Sequence, residues 1–160
     1  MKFDSRHYRN ALGRFPTGIA IVTTLTGEGQ AIGMTINSFA SVSLDPALVL
    51  WSLDRGSECL DAFSSAAGYG VHFLRDDQQD LSQRFSRKDR HDFSDLTYEI
   101  GLGGAPLIRD CHAWFDCKVH ARLDGGDHVI LIGHVQDFGH QDEAEPLIYY
   151  KGAYRKLANA

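Results

Sequence analysis

The hydrogen-bonding side chains of this sequence are concentrated in one uncharged polar run, residues 33–46. The polar members of the run are Thr35, Asn37, Ser38, Ser41 and Ser43, and a proline closes it. Such side chains can both donate and accept hydrogen bonds, so a row of them suits a polar, partly anionic small molecule. The alternative is a local turn, because serine and asparagine often bond to their own backbone.

Two further segments carry groups that could bind an anion. Ser57 precedes a predicted helix, and a capped helix start presents free backbone N–H groups to an anion. The C-terminal end of another predicted helix carries Arg84, Arg87, Lys88, Arg90 and His91, of which Arg87 and Lys88 are the best candidates for an anion contact. Cations are favourable at a helix C-terminus for electrostatic reasons alone, so this basic segment is either structural or a clamp for a phosphate group.

His128 is the best single candidate for a proton-exchanging or orienting group. It follows the glycine-rich turn 124–127 and begins a predicted strand, where a side chain can reach an open site. Histidine is the side chain that most readily exchanges protons near neutral pH. The alternative is a solvated histidine at the end of a strand.

Other chemistries find less support in the sequence. Cys111, His112, Cys117 and His120 lie close together, but Cys117 and His120 are three apart on a predicted strand and face opposite sides. A tetrahedral metal site needs converging ligands, so we expect none here. There is no GxGxxG fingerprint and no GxSxG elbow in the sequence.

The elements that must position these groups are mainly strands. Turn residues and β-branched runs predict strands at 18–25, 30–37, 47–53, 69–74, 114–123, 128–135 and 146–150. Short helices are predicted at 4–15, at 58–67 and after Asp76 and Asp77, with the first packing Tyr8, Leu12 and Phe15 against a core. Residues 37–46, 96–107 and 138–145 are predicted to be turns or loops. The expected fold is an antiparallel β-barrel covered by two or three short helices.

Strand 114–123 shows the clearest alternation. One face is predicted to carry Phe115, Cys117, Val119, Ala121 and Leu123. The opposite, solvated face is predicted to carry Asp116, Lys118, His120 and Arg122.

Chain length, net charge, apolar runs and cysteine count narrow the class of protein. A chain of 160 residues has the length of one domain, and its net charge of −5 gives no basic field for nucleic acid. No apolar run is long enough to span a membrane, and the opening residues lack an apolar signal core, so we expect a cytoplasmic protein. The three cysteines form no CxxC pair and are expected to be reduced.

The polar run resembles the signature of a known family. The segment Thr35-Ile36-Asn37-Ser38-Phe39-Ala40-Ser41-Val42-Ser43-Leu44-Asp45-Pro46 is similar to that of the short-chain flavin reductases, the reductase components of two-component flavin-dependent monooxygenases. Residues 15–23, the Gly126-Asp127-His128 motif and residues 146–154 resemble other blocks of the family, in the same order. His72 departs from the pattern, since the family usually has asparagine there.

The resemblance implies a Greek-key FMN-binding split barrel that forms a homodimer, with flavin near the subunit interface. The implied activity is NAD(P)H:flavin oxidoreduction, in which FMN or FAD takes hydride from NADH or NADPH and then passes to a partner oxygenase. His128 would orient the nicotinamide. The implied flavin contacts are Thr35, Ile36, Asn37, Ser38, Ser41, Val42, Ser43, Leu44, Trp51, Ser52, Ser57, Arg87, Lys88, Phe93 and Tyr154. The alternatives are a split barrel that holds FMN permanently and reduces another acceptor, and a flavin-binding dimer without turnover.

Overall fold

A computed structural model describes residues 4–158 and shows a mainly β architecture. Its helices are α1 (Ser5–Leu12), α2 (Leu60–Ser65) and α3 (Gln79–Phe85). Its strands are β1 (Thr17–Gly18), β2 (Ala20–Leu25), β3 (Ala31–Ile36), β4 (Ala40–Leu44), β5 (Ala47–Asp54), β6 (Gly68–Phe73), β7 (Glu99–Ile100), β8 (Pro106–Leu107), β9 (Ala113–Gly125), β10 (His128–His140), β11 (Ile148–Tyr150) and β12 (Ala153–Arg155).

Seven strands form one antiparallel sheet in the order β3-β2-β6-β9-β10-β5-β4. The two edge strands, β3 and β4, are consecutive in sequence and are joined by residues 37–39 alone. A link of that length spans at most about 14 Å, so the sheet must curl until its edges lie close together. The result is a barrel that is open between β3 and β4, with the polar run at the opening.

The barrel interior is filled by large apolar side chains. Trp51 lies at its centre, with Phe63 of α2 and Tyr69 of β6 in edge-to-face contact with it at centroid distances of 5.0 and 5.8 Å. Gly133 makes room for Tyr69, since a Cβ there would lie 2.4 Å from the tyrosine oxygen. This packing gives the sheet a rigid inner wall.

A second core lies outside the barrel, between the β2–β3 surface and α3. It contains Ile21, Leu74, Phe85 and Phe93. The segment 99–108, here called the strap, crosses the neighbouring part of the sheet as the short β7–β8 hairpin. These outer layers fix α3 and the basic segment that follows it.

The three helices differ from their predicted extents. Asp4 caps α1 as expected, accepting from the backbone N–H groups of Arg6 and His7, but α1 has no buried residue. Tyr8, Leu12 and Phe15 are more than half exposed, so the prediction that this face closes a core is wrong. Helix α2 begins at Leu60, two residues later than predicted, and ends at Ser65.

Helix α3 has no side-chain cap. Asp76 and Asp77 were predicted to cap it, but its N-cap is Gln78. The two aspartates instead pair with Lys156 and Arg75. The Asp76 pair joins this turn to the C-terminal segment, whereas the Asp77 pair is local.

Three predicted loops contain strands. Residues 40–44 form β4, because the chain runs straight into an edge pairing with β5. Strand β10 continues to His140, and the strap forms β7 and β8. Sequence patterns missed these strands for different reasons: the serines of β4 are typical of a turn, β7 and β8 are only two residues long each, and polar residues and a glycine interrupt the end of β10.

The predicted alternation of β9 fails at two places. Asp116 was expected to face solvent, but it is fully buried under the strap. A register shift between Ile132 and Gly133 displaces residue 120, so Ala121 pairs with Ile132 while Val119 pairs with Gly133. Beyond this bulge the faces exchange, and Arg122 caps α2 by donating to the carbonyl oxygens of Phe63 and Ala66.

Candidate functional site

The end of β3 is tied to α3 and to the last strand by a chain of hydroxyl groups. Thr35 donates its hydroxyl to the carbonyl oxygen of Ser82 at 2.7 Å. The Ser82 hydroxyl lies 2.9 Å from that of Tyr154. Thr35 has therefore used its only donor, and it can offer a ligand only an acceptor lone pair.

Ser38 fastens the open edge of the barrel to β5. Its hydroxyl oxygen accepts from the backbone N–H of Ser52 at 3.0 Å and lies 3.4 Å from the Ser52 carbonyl oxygen. One bonding position of the serine is thus used to hold the rim. Ser38 and Ser52, both expected as flavin contacts, bond to each other, which is a structural role that the sequence did not predict.

The remaining polar groups of the run face outward. Asn37 and Ser41 are exposed, Ser43 is half-buried, and among residues 4–158 none of them makes a side-chain hydrogen bond. Their neighbours Val42 and Leu44 are 46 % and 97 % exposed, whereas Ile36 is buried. This rim presents uncommitted donors and acceptors beside apolar surface, which is the composition of a ligand site.

A recess of about 220 Å³ opens beside the rim. It is lined by Thr17, Gly18, Ile19, Ala20, Ile36, Asn37, Phe39 and Phe73. The rings of Phe39 and Phe73 meet edge to face at 4.7 Å. Asn37 lines this largely apolar recess and is also a member of the polar run, so the recess adjoins the run.

Ser57 and the basic segment approach each other from two sides. The Ser57 hydroxyl oxygen accepts from the Cys59 backbone N–H at 3.1 Å, so it caps the turn before α2 and not the helix itself. Glu58 accepts from the Asp89 backbone N–H at 3.0 Å, and its carboxylate lies 3.4 Å from Nε2 of His91. These contacts place residues 87–91 beside Ser57.

The basic residues divide into two groups. Arg84 is neutralised by Asp92 and Asp95, at 3.5 and 2.5 Å. Arg87, Lys88 and Arg90 are exposed and make no ion pair within the described part of the chain. They are therefore the cations available to an anionic group near Ser57.

His128 lies at the tip of the β9–β10 hairpin, next to the turn that leads to Ser57. It is paired in register with Asp54, and its Nδ1 lies 2.7 Å from the Asp127 carboxylate. The imidazole then directs Nε2 outward, because Nδ1 is held by the aspartate. The bond to His128 lowers the pKa of Asp127 below its ordinary value.

Two predicted contacts have side chains that face away from the rim. Trp51 is fully buried in the barrel, and Phe93 is 6 % exposed and packs on Phe85 in the outer core. Their side chains build the wall behind the site, so the prediction that these rings touch a ligand is corrected. Burial of large aromatic rings in a core is the commoner outcome for such residues.

Sequence reasoning missed the groups that hold the site together. Ser82, Glu58 and Asp127 each bond to a segment distant in sequence or orient a neighbour, and Arg55 bonds to the β9–β10 turn. No sequence signal singles out Ser82 or Glu58, since both lie in ordinary helical or turn contexts. Asp127 had a signal, because it stands inside the Gly126-Asp127-His128 motif.

Thiol and metal chemistry find no place among the described residues. Burial raises the pKa of Cys59 to about 11 and the pKa of Cys117 to about 12, so these thiols stay protonated near neutral pH. Residues 4–158 contain no group of three or more histidine, cysteine, aspartate or glutamate side chains arranged to hold a metal ion. Over the same residues, no helix has the length and apolarity needed to cross a membrane.

Comparisons with known proteins agree on one family. The family model described as "Flavin reductase like domain" matches residues 12–158. The chain is 48% identical over 155 residues to FMN reductase (NADH) SmoA of Agrobacterium fabrum, covering 97% of this chain and 87% of the relative. The structure of flavin reductase PheA2 in its native state superposes with a TM-score of 0.88 at 38% identity, covering 98% of this chain and 100% of that one. The NADH:FAD oxidoreductase SgcE6 of Streptomyces globisporus, in complex with NAD and FAD fragments, gives 0.89 at 31% identity, covering 97% and 93%.

Proposed function

This chain belongs to the flavin reductase-like family, and we propose that it reduces FMN or FAD with NADH and passes the reduced flavin to a partner monooxygenase. The family and the mainly β split-barrel fold expected from the sequence are confirmed. The observation that carries the proposal is the open rim of the barrel. Asn37 and Ser41 leave donors and acceptors uncommitted there beside the apolar surface of Val42 and Leu44. The basic segment is held against Glu58, next to Ser57, and His128 pairs with Asp54 at the start of the same turn.

The residues present fit a flavin. Asn37, Ser41 and Ser43 offer donors and acceptors for a polar ring edge and a ribityl chain, beside the apolar surface of Val42 and Leu44. The recess next to Asn37 has the volume of one substituted aromatic ring, since a cavity of about 150 Å³ holds benzene. It would admit the edge of a ring system and not a whole isoalloxazine.

The phosphate of the flavin is assigned to the segment beside Ser57. Arg87 and Lys88 would supply charge-assisted hydrogen bonds, which are the stronger kind. Glu58 holds this segment against the turn before α2 through the Asp89 backbone N–H. This contact holds the main chain of the segment, and the exposed side chains of Arg87 and Lys88 would turn toward the anion.

The chain's part in the reaction is alignment. When bound, the flavin supplies the hydride acceptor, and NADH supplies the hydride. His128, with Nδ1 held by Asp127, would donate or accept a hydrogen bond through Nε2 and so orient the nicotinamide. No general acid–base step by the protein is needed for a direct hydride transfer.

The absence of a GxGxxG fingerprint from the sequence fits this arrangement. A nicotinamide nucleotide in this chain would stack on the flavin and not lie on a helix N-terminus. The relatives named as NADH-dependent FMN reductases make NADH the proposed donor. Two relatives support delivery to an oxygenase: one is named as the reductase component of a flavin-dependent trigonelline monooxygenase, and the other as HsaB, the reductase subunit of a flavin-dependent monooxygenase.

We also propose that the working unit is a homodimer of this single-domain chain. The outer face of β5, β9 and β10 carries Leu50, Ala121, Ile130 and Ile132, and Leu123 beside them is 49 % exposed. An apolar sheet face of this kind is commonly buried against a partner. The cytoplasmic location stays a prediction.

The test is NADH oxidation in air, followed by absorbance with and without added FMN. Oxidation that requires added flavin and saturates in it supports a reductase that uses flavin as a diffusible substrate. Oxidation without added flavin would instead indicate a permanently bound FMN, and flavin binding without turnover would indicate a carrier.

The role of His128 has its own test. We expect His128→Ala to lower kcat/KM for NADH about tenfold or more, because alignment is lost, and to change the Kd for FMN less than about twofold. The exposed histidine variant His140→Ala is the control. Equal losses of NADH use and FMN affinity would contradict the assignment.

A further inference from the structure

One exposed arginine joins the two halves of the proposed site. The turn 54–57 leads to Ser57 on the flavin side, and the hairpin tip 124–128 presents His128 on the nicotinamide side. Arg55 spans them with three hydrogen bonds. Its backbone N–H donates to the Asp127 carbonyl oxygen at 3.0 Å, its Nε to the Gly126 carbonyl oxygen at 3.0 Å, and its Nη2 to the Asp124 carboxylate at 2.7 Å.

These bonds are directed at the peptide units that orient the histidine. Gly126 has a positive φ of 80°, which a glycine adopts without strain, and Asp127 follows it. The Asp127 carboxylate lies 2.7 Å from Nδ1 of His128. A rotation of the 126–127 peptides would therefore move the carboxylate and, with it, the imidazole.

The charges at this corner give the arginine a second effect. The carboxylates of Asp54, Asp124 and Asp127 lie on the two segments that Arg55 joins. NADH carries a diphosphate, so these three carboxylates would repel it if no cation neutralised them. Arg55 supplies positive charge there, and its planar fork also fixes direction, which a lysine ammonium cannot do.

We propose that Arg55 is a positioning residue, which fixes the Gly126–His128 tip relative to the Ser57 turn and so sets the alignment of nicotinamide with flavin. An ordinary exposed ion pair contributes little, since such pairs are worth roughly 0–1 kcal/mol. The difference here is that the Nε bond and the backbone bond hold the main chain of the tip. This inference rests on the proposed role of His128.

The first experiment measures local opening of the hairpin tip and does not depend on enzyme activity. Amide hydrogen exchange is compared for wild type, Arg55→Ala, Arg55→Lys and Asp124→Asn, with Glu99→Gln as a matched control that removes another exposed ion pair, the one with Arg109. We expect the amide of residue 55 to exchange about tenfold faster in Arg55→Ala and unchanged in Glu99→Gln. Unchanged exchange in Arg55→Ala would overturn the tether.

The second experiment separates position from charge in NADH turnover. Arg55→Ala should lower the hydride-transfer rate about tenfold and raise KM for NADH, with the Kd for FMN changed less than about twofold. Arg55→Lys should restore KM, since the charge returns, but recover less than about half of the rate. Full recovery of the rate by lysine would overturn the positioning role, and so would an equal loss of FMN affinity in Arg55→Ala.

The failures of the two proposals can be told apart. If the wild-type chain binds flavin but does not oxidise NADH, the proposed function fails while the exchange experiment still decides whether Arg55 holds the tip. If the wild type turns over and the Arg55 variants match it, the function stands and the positioning role is wrong.

Discussion

Two sets of polar side chains in this molecule have opposite roles. Under the strap, Thr23, His72 and Asp116 are fully buried, and each bonds to the strap backbone. At the rim of the barrel, Asn37 and Ser41 are exposed and make no side-chain hydrogen bond with any described residue. The first set stabilises the fold, whereas the second is available to a ligand.

The buried set joins the strap to the sheet at three points. Thr23 donates to the Pro106 carbonyl oxygen at 2.5 Å, the Ile108 N–H donates to Nε2 of His72 at 3.1 Å, and the Gly103 N–H donates to Asp116 at 2.8 Å. Buried polar groups cost free energy unless they are paired, and the strap backbone supplies one partner to each of these side chains, although Oδ1 of Asp116 has no partner among the described residues. Polarity in the sequence therefore does not separate structural from functional residues; the available backbone partners do.

The strongest way to break this comparison is to replace His72. Its Nδ1 must donate to the Ile21 carbonyl oxygen at 3.0 Å while Nε2 accepts from Ile108, so both partners lose a bond in His72→Leu. We expect a loss of about 4 kcal/mol in the free energy of unfolding, measured in urea, with the FMN affinity of the folded protein unchanged. The exposed His134→Leu is the control. A loss below about 1 kcal/mol would show that the strap is not held by this side chain.

Acid should weaken the strap through the same residue. Burial lowers the pKa of His72 from 6.5 to about 4, because the charged form is excluded from the core. The unfolded chain takes up the proton as the pH falls through 6.5, whereas the folded chain stays neutral until about pH 4. Stability is therefore full above pH 6.5 and is lost between 6.5 and 4, by about 3 kcal/mol.

Urea unfolding at a series of pH values measures this loss. The variant His72→Leu should lack the pH-dependent part that the wild type shows in this window. If both proteins respond alike, another group is responsible.

Much of the architecture could be predicted from the sequence. The β-branched runs gave β2, β3, β5 and β6 nearly at their observed bounds, because their apolar faces must be buried. The serines of edge strand β4 predicted a turn, although Ala40, Val42 and Leu44 alternate with Ser41 and Ser43. A five-residue alternation is a weak signal, and the strand forms through its pairing with β5. Asp116 was misplaced for a similar reason, because the backbone N–H that its Oδ2 accepts from belongs to Gly103 in the distant strap.

The site could be predicted as a segment but not as a set of contacts. The polar run 33–46 was found, and the structure separates its members by the bonds that they already make. Thr35 and Ser38 bond to Ser82 and Ser52, whereas Asn37 does not bond to a protein partner among the described residues. Those partners come from distant elements, so no spacing in the sequence reveals them.

A smaller effect is expected at the basic segment. Replacing Arg87 and Lys88 with alanine should raise the Kd for FMN about tenfold, equivalent to about 1.4 kcal/mol, because a charge-assisted contact with the phosphate is lost. Riboflavin lacks the phosphate, so the affinity for riboflavin should fall less than about twofold. Arg14→Ala, at an exposed arginine outside the basic segment, serves as the control for a general loss of positive charge. Flavin fluorescence titration gives both affinities, and equal weakening of FMN and riboflavin would mean that these cations do not contact the phosphate.

The smallest effect compares two neighbours within the rim. Asn37→Ala should raise the Kd for FMN about fivefold, or roughly 1 kcal/mol. The free energy of unfolding should not change, because the amide makes no hydrogen bond to any described residue. Ser38→Ala should instead lower the free energy of unfolding by about 1 kcal/mol, because the Ser52 N–H loses its acceptor. Urea unfolding and flavin titration of both variants give the four values. If Asn37→Ala lowers the free energy of unfolding as much as Ser38→Ala does, then an exposed side chain without a protein hydrogen bond is not thereby a ligand contact. The distinction drawn between the polar side chains under the strap and those at the rim would then not hold for these two neighbours.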